Sequence, residues 1–211
     1  MSSLPLTDLP VAVAVDGRLR RLARKIRAVM EELDLDLSDP HLAGTDMRVA
    51  RAYRELFAGL AAGAEPTLRT FPNTERYGAP VSVVGIPFYS LCAHHLLPFF
   101  GSAHVTYQPG QEIVGLSKLA RVVEFYARRP QVQERMTEQI ADYLDRRLSP
   151  GGVMVVLQAR HFCIEMRGMN RAGLVTTTSA VRGVFTEARR RRAFQSALPR
   201  FGIPNLEDAG L

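Results

Sequence analysis

The chain is poor in cysteine and lysine and has no long apolar run. Its 211 residues include only two cysteines, Cys92 and Cys163, too few for a disulfide-stabilised scaffold. No apolar run reaches the ~18 residues that a membrane-spanning helix needs. The first residues lack the basic segment and apolar core of a secretory signal. We therefore expect a cytoplasmic protein that does not bind membranes.

Basic residues exceed acidic ones, 27 to 21, and 25 of the 27 are arginine. Such an excess is typical of proteins with an anionic partner, either nucleic acid or a phosphorylated small molecule. Much of it lies in two predicted helices, at residues 18–25 and 189–192, where solvated helix faces explain it more simply. We therefore expect no nucleic-acid partner.

The spacing of apolar residues predicts a mixed α+β fold. It favours helices over 16–33, 46–61, 117–129, 130–148 and 187–198, and strands over 81–86, 99–107, 153–157, 162–167 and 175–185. Paired helices that alternate with hairpins favour an antiparallel sheet covered on one face by helices. We expect an N-terminal helical extension over 1–62 and a larger domain over 63–211.

Both cysteines lie beside histidines. Cys92 and His95 have C-x-x-H spacing, which a tight turn brings to the same side, and Cys163 is a third candidate ligand. Three protein ligands leave one tetrahedral position for water, as in catalytic zinc sites, whereas structural sites usually have four ligands. The alternative is two buried thiols without a metal. Because both cysteines and three of the five histidines cluster in two short segments, the pattern favours Zn²⁺.

The segment around Cys163 alternates with a period of two, which is typical of a strand. The apolar residues at 162, 164 and 166 would then face the core. The polar and reactive residues of the opposite face are His161, Cys163, Glu165 and Arg167. His94 and His161 would lie near the metal as bases, since an ordinary imidazole titrates close to neutral pH.

A helix predicted to begin with Ser117 as its N-cap offers groups for a phosphate. Ser117, Lys118 and Arg121 would present a hydroxyl and two cations at the positive helix end, although an ordinary N-cap with solvated charges is equally consistent. In the next helix, Glu134 beside Gln133 either complements the helix dipole or accepts hydrogen bonds from a donor-rich edge such as that of guanine.

Five segments, in order, resemble the GTP cyclohydrolase I family over roughly residues 40–200. They are GTDMRVARAYRELF, FYSLCAHHLLPFFGSAHVTY, IVGLSKLARVVEFYARRPQVQERMTEQIA, ARHFCIEMRG and TTTSAVRGVF. The resemblance implies the tunnelling fold (T-fold) and a toroidal homo-oligomer, commonly a decamer, with active sites at subunit boundaries. It also implies zinc-dependent hydrolysis of GTP at guanine C8, with release of formate and rearrangement to 7,8-dihydroneopterin triphosphate for pterin and tetrahydrofolate biosynthesis.

The resemblance further implies roles for individual residues. The family's zinc ligands match Cys92, His95 and Cys163, and its catalytic histidines match His94 and His161. The residues that match its substrate contacts are Gln133 and Glu134 for the guanine edge, and Ser117, Lys118, Arg121 and Arg167 for the triphosphate and ribose, with Arg48 of a neighbouring subunit as a further candidate. His161 is expected to protonate guanine N7, and His94 and Ser117 to transfer protons near the sugar.

Two positions depart from the family. Ala93 stands where the family commonly has Glu, and Asp46 where a helix usually begins with Pro. Loss of a carboxylate beside the metal lowers the rate, alters the proton relay or marks a paralogue that binds or converts a purine or pterin nucleotide in a secondary pathway. We hypothesise that Glu165, on the metal side of its predicted strand, partly replaces that carboxylate.

An alternative from another class is a basic nucleic-acid-binding protein with a structural zinc ion. It would require a fourth ligand and exposed aromatic residues among the basic ones, and neither is evident.

Overall fold

The structure is a computed structural model that describes residues 17–199. The chain divides into two compact units, Met1–Glu55 and Leu56–Leu211. The domain organisation expected above, with a boundary after residue 62, stays a prediction. Within residues 17–199, no helix combines the length and apolar character needed to cross a bilayer.

The described part of the first unit, from Gly17 on, contains a pair of helices. They are α1 (Gly17–Glu32) and α2 (Thr45–Leu56), with a short 3-10 helix (Pro40–Leu42) between them. Leu19 and Ala23 of α1 form a small apolar cluster with Ala50 of α2. This cluster forms because apolar residues recur at helical spacing, whereas the arginines of α1 lie on its exposed side.

The second unit contains seven strands and four helices among the described residues. In chain order they are β1 (Thr70–Pro72), β2 (Val81–Cys92), β3 (Pro98–Gln108), β4 (Glu112–Val114), α3 (Leu116–Ala127), β5 (Pro130–Gln131), α4 (Gln133–Leu148), β6 (Gly152–His161), α5 (Phe162–Glu165), β7 (Thr176–Gly183) and α6 (Ala188–Ser196). Short 3-10 helices lie at Ala58–Leu60 and Val184–Thr186.

The main sheet has five strands in the order β5-β2-β3-β6-β7. The pairs β2–β3, β3–β6 and β6–β7 are antiparallel, and the short β5 pairs with β2 in parallel. Strands β1 and β4 form a separate antiparallel ribbon. The predicted α+β fold with an antiparallel sheet is therefore confirmed.

The sheet separates two apolar clusters, because side chains alternate along each strand. Val155 and Leu157 of β6 face the main core, which is completed by α3 and α4. Met154 and Val156 face the opposite way and pack with Phe185, where Phe194 of α6 also contributes. Helices α3 and α4 thus cover one face as predicted, while α6 adds to the other.

The helix predicted over 130–148 begins only at Gln133, and Pro130–Gln131 form strand β5 instead. Two predictions at the candidate site are wrong. Residues 162–167 do not form the predicted separate strand, because β6 extends to His161 and the helix α5 follows directly. Ser117 is not the N-cap of α3, since the helix begins at Leu116 and Gly115 occupies the cap without a side-chain hydrogen bond. Both differences change where side chains of the site lie.

Candidate metal centre and active site

A tight turn after β2 brings Cys92 and His95 together. The carbonyl of Cys92 accepts hydrogen bonds from the backbone N–H groups of His95, at 3.3 Å, and Leu96, at 2.8 Å. Leu96 adopts a left-handed conformation with φ of 53°, which allows the chain to reverse into β3. As a result Nδ1 of His95 lies 3.8 Å from Sγ of Cys92, as the C-x-x-H spacing predicts.

Cys163 is presented by the short helix α5 that follows β6. The Arg160 guanidinium donates to both carboxylate oxygens of Glu165, with Nε 2.7 Å from Oε1. The backbone N–H of Met166 donates to the carbonyl of Phe162 at 3.1 Å. These contacts close a helical turn, which explains why a segment with strand-like alternation is not a strand.

Cys92, His95 and Cys163 form a candidate metal centre. Their ligand atoms all lie within 4.8 Å of one another, and no other group of three or more such ligands was found within residues 17–199. A tetrahedral zinc ion with Zn–S near 2.3 Å and Zn–N near 2.0 Å places its ligand atoms about 3.3–3.8 Å apart. The three side chains therefore fit a Zn²⁺ ion after small adjustments.

The surroundings of the Cys163 thiol also bear on whether the group binds a cation. Burial raises the pKa of the Cys163 thiol, the neighbouring Cys92 raises it further, and Arg167 opposes the shift weakly. A bound cation reverses this preference, because metal ligation requires the thiolate and releases its proton. His94 lies at the edge of the group, with Nδ1 3.9 Å from Sγ of Cys92.

His161 is held on two sides at the end of β6. Its ring lies parallel to that of Phe99, with 4.7 Å between centroids and 4° between planes. Its Nε2 is 2.7 Å from Oε1 of Gln133. Burial lowers the pKa of His161, and the nearby charges of Glu134 and Glu165 oppose that shift. Burial therefore favours the neutral imidazole.

Gln133, at the first position of α4, is buried, and both ends of its side-chain amide make hydrogen bonds. Its Nε2 lies 3.2 Å from the carbonyl oxygen of Leu157, 3.0 Å from that of Thr176 and 3.2 Å from Oγ1 of Thr178. Its role at a guanine edge stays a prediction. The neighbouring Glu134 is exposed, and its carboxylate makes no hydrogen bond or ion pair with any residue in 17–199.

The predicted phosphate-binding side chains lie on α3 and after α5. Ser117, Arg121 and Arg167 are exposed and Lys118 is half-buried. In the described part of the chain, none of the four side chains makes a hydrogen bond or ion pair, and none is joined in that way to the metal centre. They are thus available to a ligand, and their roles stay predictions.

The guanidinium of Arg48, in the first unit, makes hydrogen bonds to nearby residues of its own chain. Its guanidinium donates to the carbonyls of Ala43, at 2.7 Å, and His41, at 3.2 Å, and to Oγ1 of Thr45, at 2.6 Å. These bonds tie it to the start of its own helix.

The structure removes the basis of the Glu165 hypothesis. Glu165 is not on the metal side of a strand but in α5, where Arg160 binds its carboxylate and lowers its pKa. Nor is it a member of the candidate metal centre. Ala93 donates its backbone N–H to the carbonyl of Gln131 at 2.8 Å and offers no acid in its place.

Comparisons with known proteins bear on this arrangement. A sequence model of the family described as GTP cyclohydrolase I matches residues 22–198. The chain belongs to this family. A protein named GTP cyclohydrolase 1 from Mycolicibacterium vanbaalenii is 53% identical over 176 residues, which cover 81% of this chain and 87% of that protein. Another of that name, from Carboxydothermus hydrogenoformans, is 48% identical over 82% of this chain and 90% of its own length.

This member of the GTP cyclohydrolase I family is therefore an enzyme, as the resemblance implies. A solved structure, the archaeosine synthase QueF-Like in the apo form, is 15% identical and covers 51% of this chain and 97% of its own, with a TM-score of 0.43. That likeness is too low to support any argument about fold or function.

Sequence reasoning missed four residues that shape the candidate site of this GTP cyclohydrolase I family member. They are Phe99, Thr137, Arg160 and Thr178. Each acts through a neighbour far along the chain or through an ion pair across a turn. The period-two pattern of β7 does place Thr176 and Thr178 on one face, but it does not indicate which helix covers them.

Proposed function

We propose that the chain catalyses zinc-dependent hydrolysis of GTP at guanine C8, with release of formate and rearrangement to 7,8-dihydroneopterin triphosphate. The observation that carries the proposal is the Cys92–His95–Cys163 group in a member of the GTP cyclohydrolase I family. The half-buried His161 precedes Cys163 by two residues. The product would serve pterin and tetrahydrofolate synthesis.

Cys92, His95 and Cys163 would hold the Zn²⁺ ion. When bound, that ion supplies Lewis-acid activation of a water molecule. Three protein ligands, rather than four, suit a catalytic role. The two thiolates and the neutral imidazole balance the charge of the ion, so nearby bases are needed for proton transfer.

His161 and His94 are the bases we assign. His161 is neutral near pH 7 because burial lowers its pKa, so it can take up a proton and deliver it to guanine N7. His94 is exposed on the turn between β2 and β3 and is free to move protons near the ribose, together with the hydroxyl of Ser117.

Charged side chains would recognise both the guanine and the triphosphate of the substrate. At the start of α4, beside Gln133, the exposed carboxylate of Glu134 suits the N1–H and N2–H₂ donors of guanine. Lys118, Arg121 and Arg167 supply cations for the triphosphate. The net charge of +6 agrees with an anionic substrate.

We also propose that the chain acts in the cytoplasm as a toroidal T-fold homo-oligomer, commonly a decamer, with sites at subunit boundaries. Such an assembly would bring the cations of α3 next to a metal centre, although no hydrogen bond or ion pair links them within the described residues of one chain. Light scattering of the purified protein measures the subunit number directly.

The test combines metal analysis with product detection. The purified protein is assayed for zinc, incubated with GTP and oxidised, and the pterin fluorescence is recorded, with Cys163→Ser as the matched control. Stoichiometric zinc and fluorescence in the wild type alone support the proposal. Zinc without fluorescence would indicate a paralogue altered at Ala93, and salt-sensitive retention of RNA or DNA would indicate a nucleic-acid-binding protein.

A further inference from the structure

We infer that Gln133, held by Thr178 and Thr137, fixes the tautomer of His161. Nε2 of His161 then always carries a hydrogen, and Nδ1 is the nitrogen that exchanges a proton with the substrate. Gln133, Thr178 and Thr137 are positioning residues in this scheme. The role in turnover rests on the proposed function, whereas the tautomer itself does not.

The orientation of the Gln133 amide follows from its neighbours. Its Nε2 lies 3.2 Å from the carbonyl oxygen of Leu157 and 3.0 Å from that of Thr176. Backbone carbonyls only accept hydrogen bonds, so a flipped amide would place its own oxygen against two other oxygens. The NH₂ group must therefore face these carbonyls, and Oε1 must face His161.

The hydroxyls of Thr137 and Thr178 complete the hydrogen-bond network, and each of their protons has its own acceptor. Oγ1 of Thr137 donates its single proton to the backbone carbonyl of Gln133 at 2.8 Å. In the 2.6 Å contact between the two hydroxyls, Thr178 must consequently be the donor and Thr137 the acceptor. Oγ1 of Thr178 then has lone pairs for Nε2 of Gln133, at 3.2 Å.

Gln133 and Thr137 at the centre of the network are buried, which makes the wrong amide orientation costly. Gln133 is 2% exposed and Thr137 is 1% exposed, so water cannot satisfy a misplaced group. A buried polar group left without a hydrogen-bond partner destabilises the fold. The amide therefore has one favourable orientation.

His161 must adapt to that orientation. Oε1 of Gln133 only accepts, and it lies 2.7 Å from Nε2 of His161, so Nε2 must carry a hydrogen. Among residues 17–199, Nδ1 has no hydrogen-bond partner, yet it is not among the buried unpaired atoms. Nδ1 is thus the nitrogen that a ligand can reach.

The proton balance of the step is simple. In the imidazolium form both ring nitrogens carry hydrogen. The N–H bond at Nδ1 breaks as a bond forms between that proton and guanine N7, and the electron pair stays on Nδ1. The product is the neutral Nε2–H tautomer, which Gln133 stabilises.

The tautomer is measured by ¹⁵N NMR of histidine-labelled, zinc-loaded protein without GTP, because protonated and bare ring nitrogens differ widely in shift. His161→Asn identifies the signals. We expect the Nε2–H form in the wild type and a mixture of both tautomers in Gln133→Leu. An Nδ1–H form in the wild type, or an unchanged signal in Gln133→Leu, would overturn the inference.

A second pair of variants tests the positioning role without touching Gln133. Thr178→Val removes the hydroxyl and Thr178→Ser keeps it. We expect Thr178→Val to lower kcat about 10-fold, with the KM for GTP and the zinc content unchanged, as for other groups that orient a functional side chain. Thr178→Ser should restore kcat.

Equal losses in both Thr178 variants, or a change in KM alone, would contradict the positioning role. If the wild type turns over no GTP, the proposed function fails, and the NMR experiment still decides the tautomer. A KM increase without a kcat change in Gln133→Leu would show that Gln133 reads the guanine instead.

Discussion

The two halves of the site differ in how far the chain alone completes them. In the Cys92–His95–Cys163 group, burial and the neighbouring Cys92 raise the pKa of the Cys163 thiol, and the charge of Arg167 offsets this shift only weakly. In the network around Gln133, every donor has an acceptor within the chain. The first half suits a bound cation, whereas the second is preorganised before any ligand arrives.

The largest effect is expected when the cation-dependent half is broken. Cys163→Ser replaces a soft thiolate ligand by a weakly acidic hydroxyl, so zinc should be lost and GTP turnover should fall by roughly 10³-fold or more. Metal analysis and pterin fluorescence measure both. The His161 tautomer should stay unchanged, and full zinc occupancy with normal turnover would refute this assignment.

The next effect concerns the ion pair that shapes the metal half. Glu165→Gln weakens its contact with Arg160, so the α5 turn that carries Cys163 should loosen and zinc affinity should fall about 10-fold. Competition with a chromophoric chelator measures the affinity. The control is Glu187→Gln, which weakens an exposed pair with Arg190 in the same way and should leave zinc affinity unchanged.

A different result for Glu165→Gln would sharpen the comparison. If zinc occupancy stays complete while kcat falls, the carboxylate acts in the chemistry rather than on the turn. That outcome would revive the idea that Glu165 serves in place of the acid absent at Ala93.

A smaller effect is expected in the preorganised half. Phe99→Leu removes the ring that lies parallel to His161, so kcat should fall several-fold and stability by about 1 kcal/mol, with zinc retained. Phe185→Leu, buried in the cluster on the other face of the sheet, is the control and should lower stability alone. Loss of zinc in Phe99→Leu would mean that the two halves are not separable.

The smallest effect is expected at His104, a buried imidazole outside both halves. Its Nδ1 accepts a hydrogen bond from the backbone N–H of Gly85 at 3.2 Å, and Nε2 lies 3.2 Å from Oε1 of Gln158. Burial lowers the pKa of His104 below its ordinary value of 6.5. The unfolded chain therefore binds the proton at a higher pH than the folded chain does.

The sign of the His104 effect follows from that difference. Its contribution to stability is complete above pH 6.5 and is lost as the pH falls toward the lower pKa of the folded state. Urea unfolding between about pH 5 and 8 should show a steeper acid loss for the wild type than for His104→Gln. Parallel profiles would show that the pKa of His104 is the same in the folded and unfolded states, and would contradict this prediction.

Regular elements were predictable because each depends on local pattern. The long strands and helices follow from apolar spacing, and the C-x-x-H spacing indicated the turn that joins Cys92 to His95. The error at residues 162–167 arose because an ion pair between Arg160 and Glu165 outweighs the alternation of apolar and polar residues. Nothing in the local pattern reports such a contact.

The network around His161 was beyond local reasoning for a related reason. Thr178 and Gln133 are 45 residues apart, and they meet only because α4 packs across β6 and β7. Propensity and periodicity describe which face of an element is buried, but not which element covers it.

By itself, the order of residues determined the ligand types, the mixed α+β character and the family of the chain, since these depend on which side chains are present and how they are spaced. Tertiary structure decided which nitrogen of His161 is free and how Cys163 is presented, because both depend on contacts between segments distant in sequence or across a turn. Hydrogen bonds in a buried network have one consistent arrangement, and only the packed chain selects it.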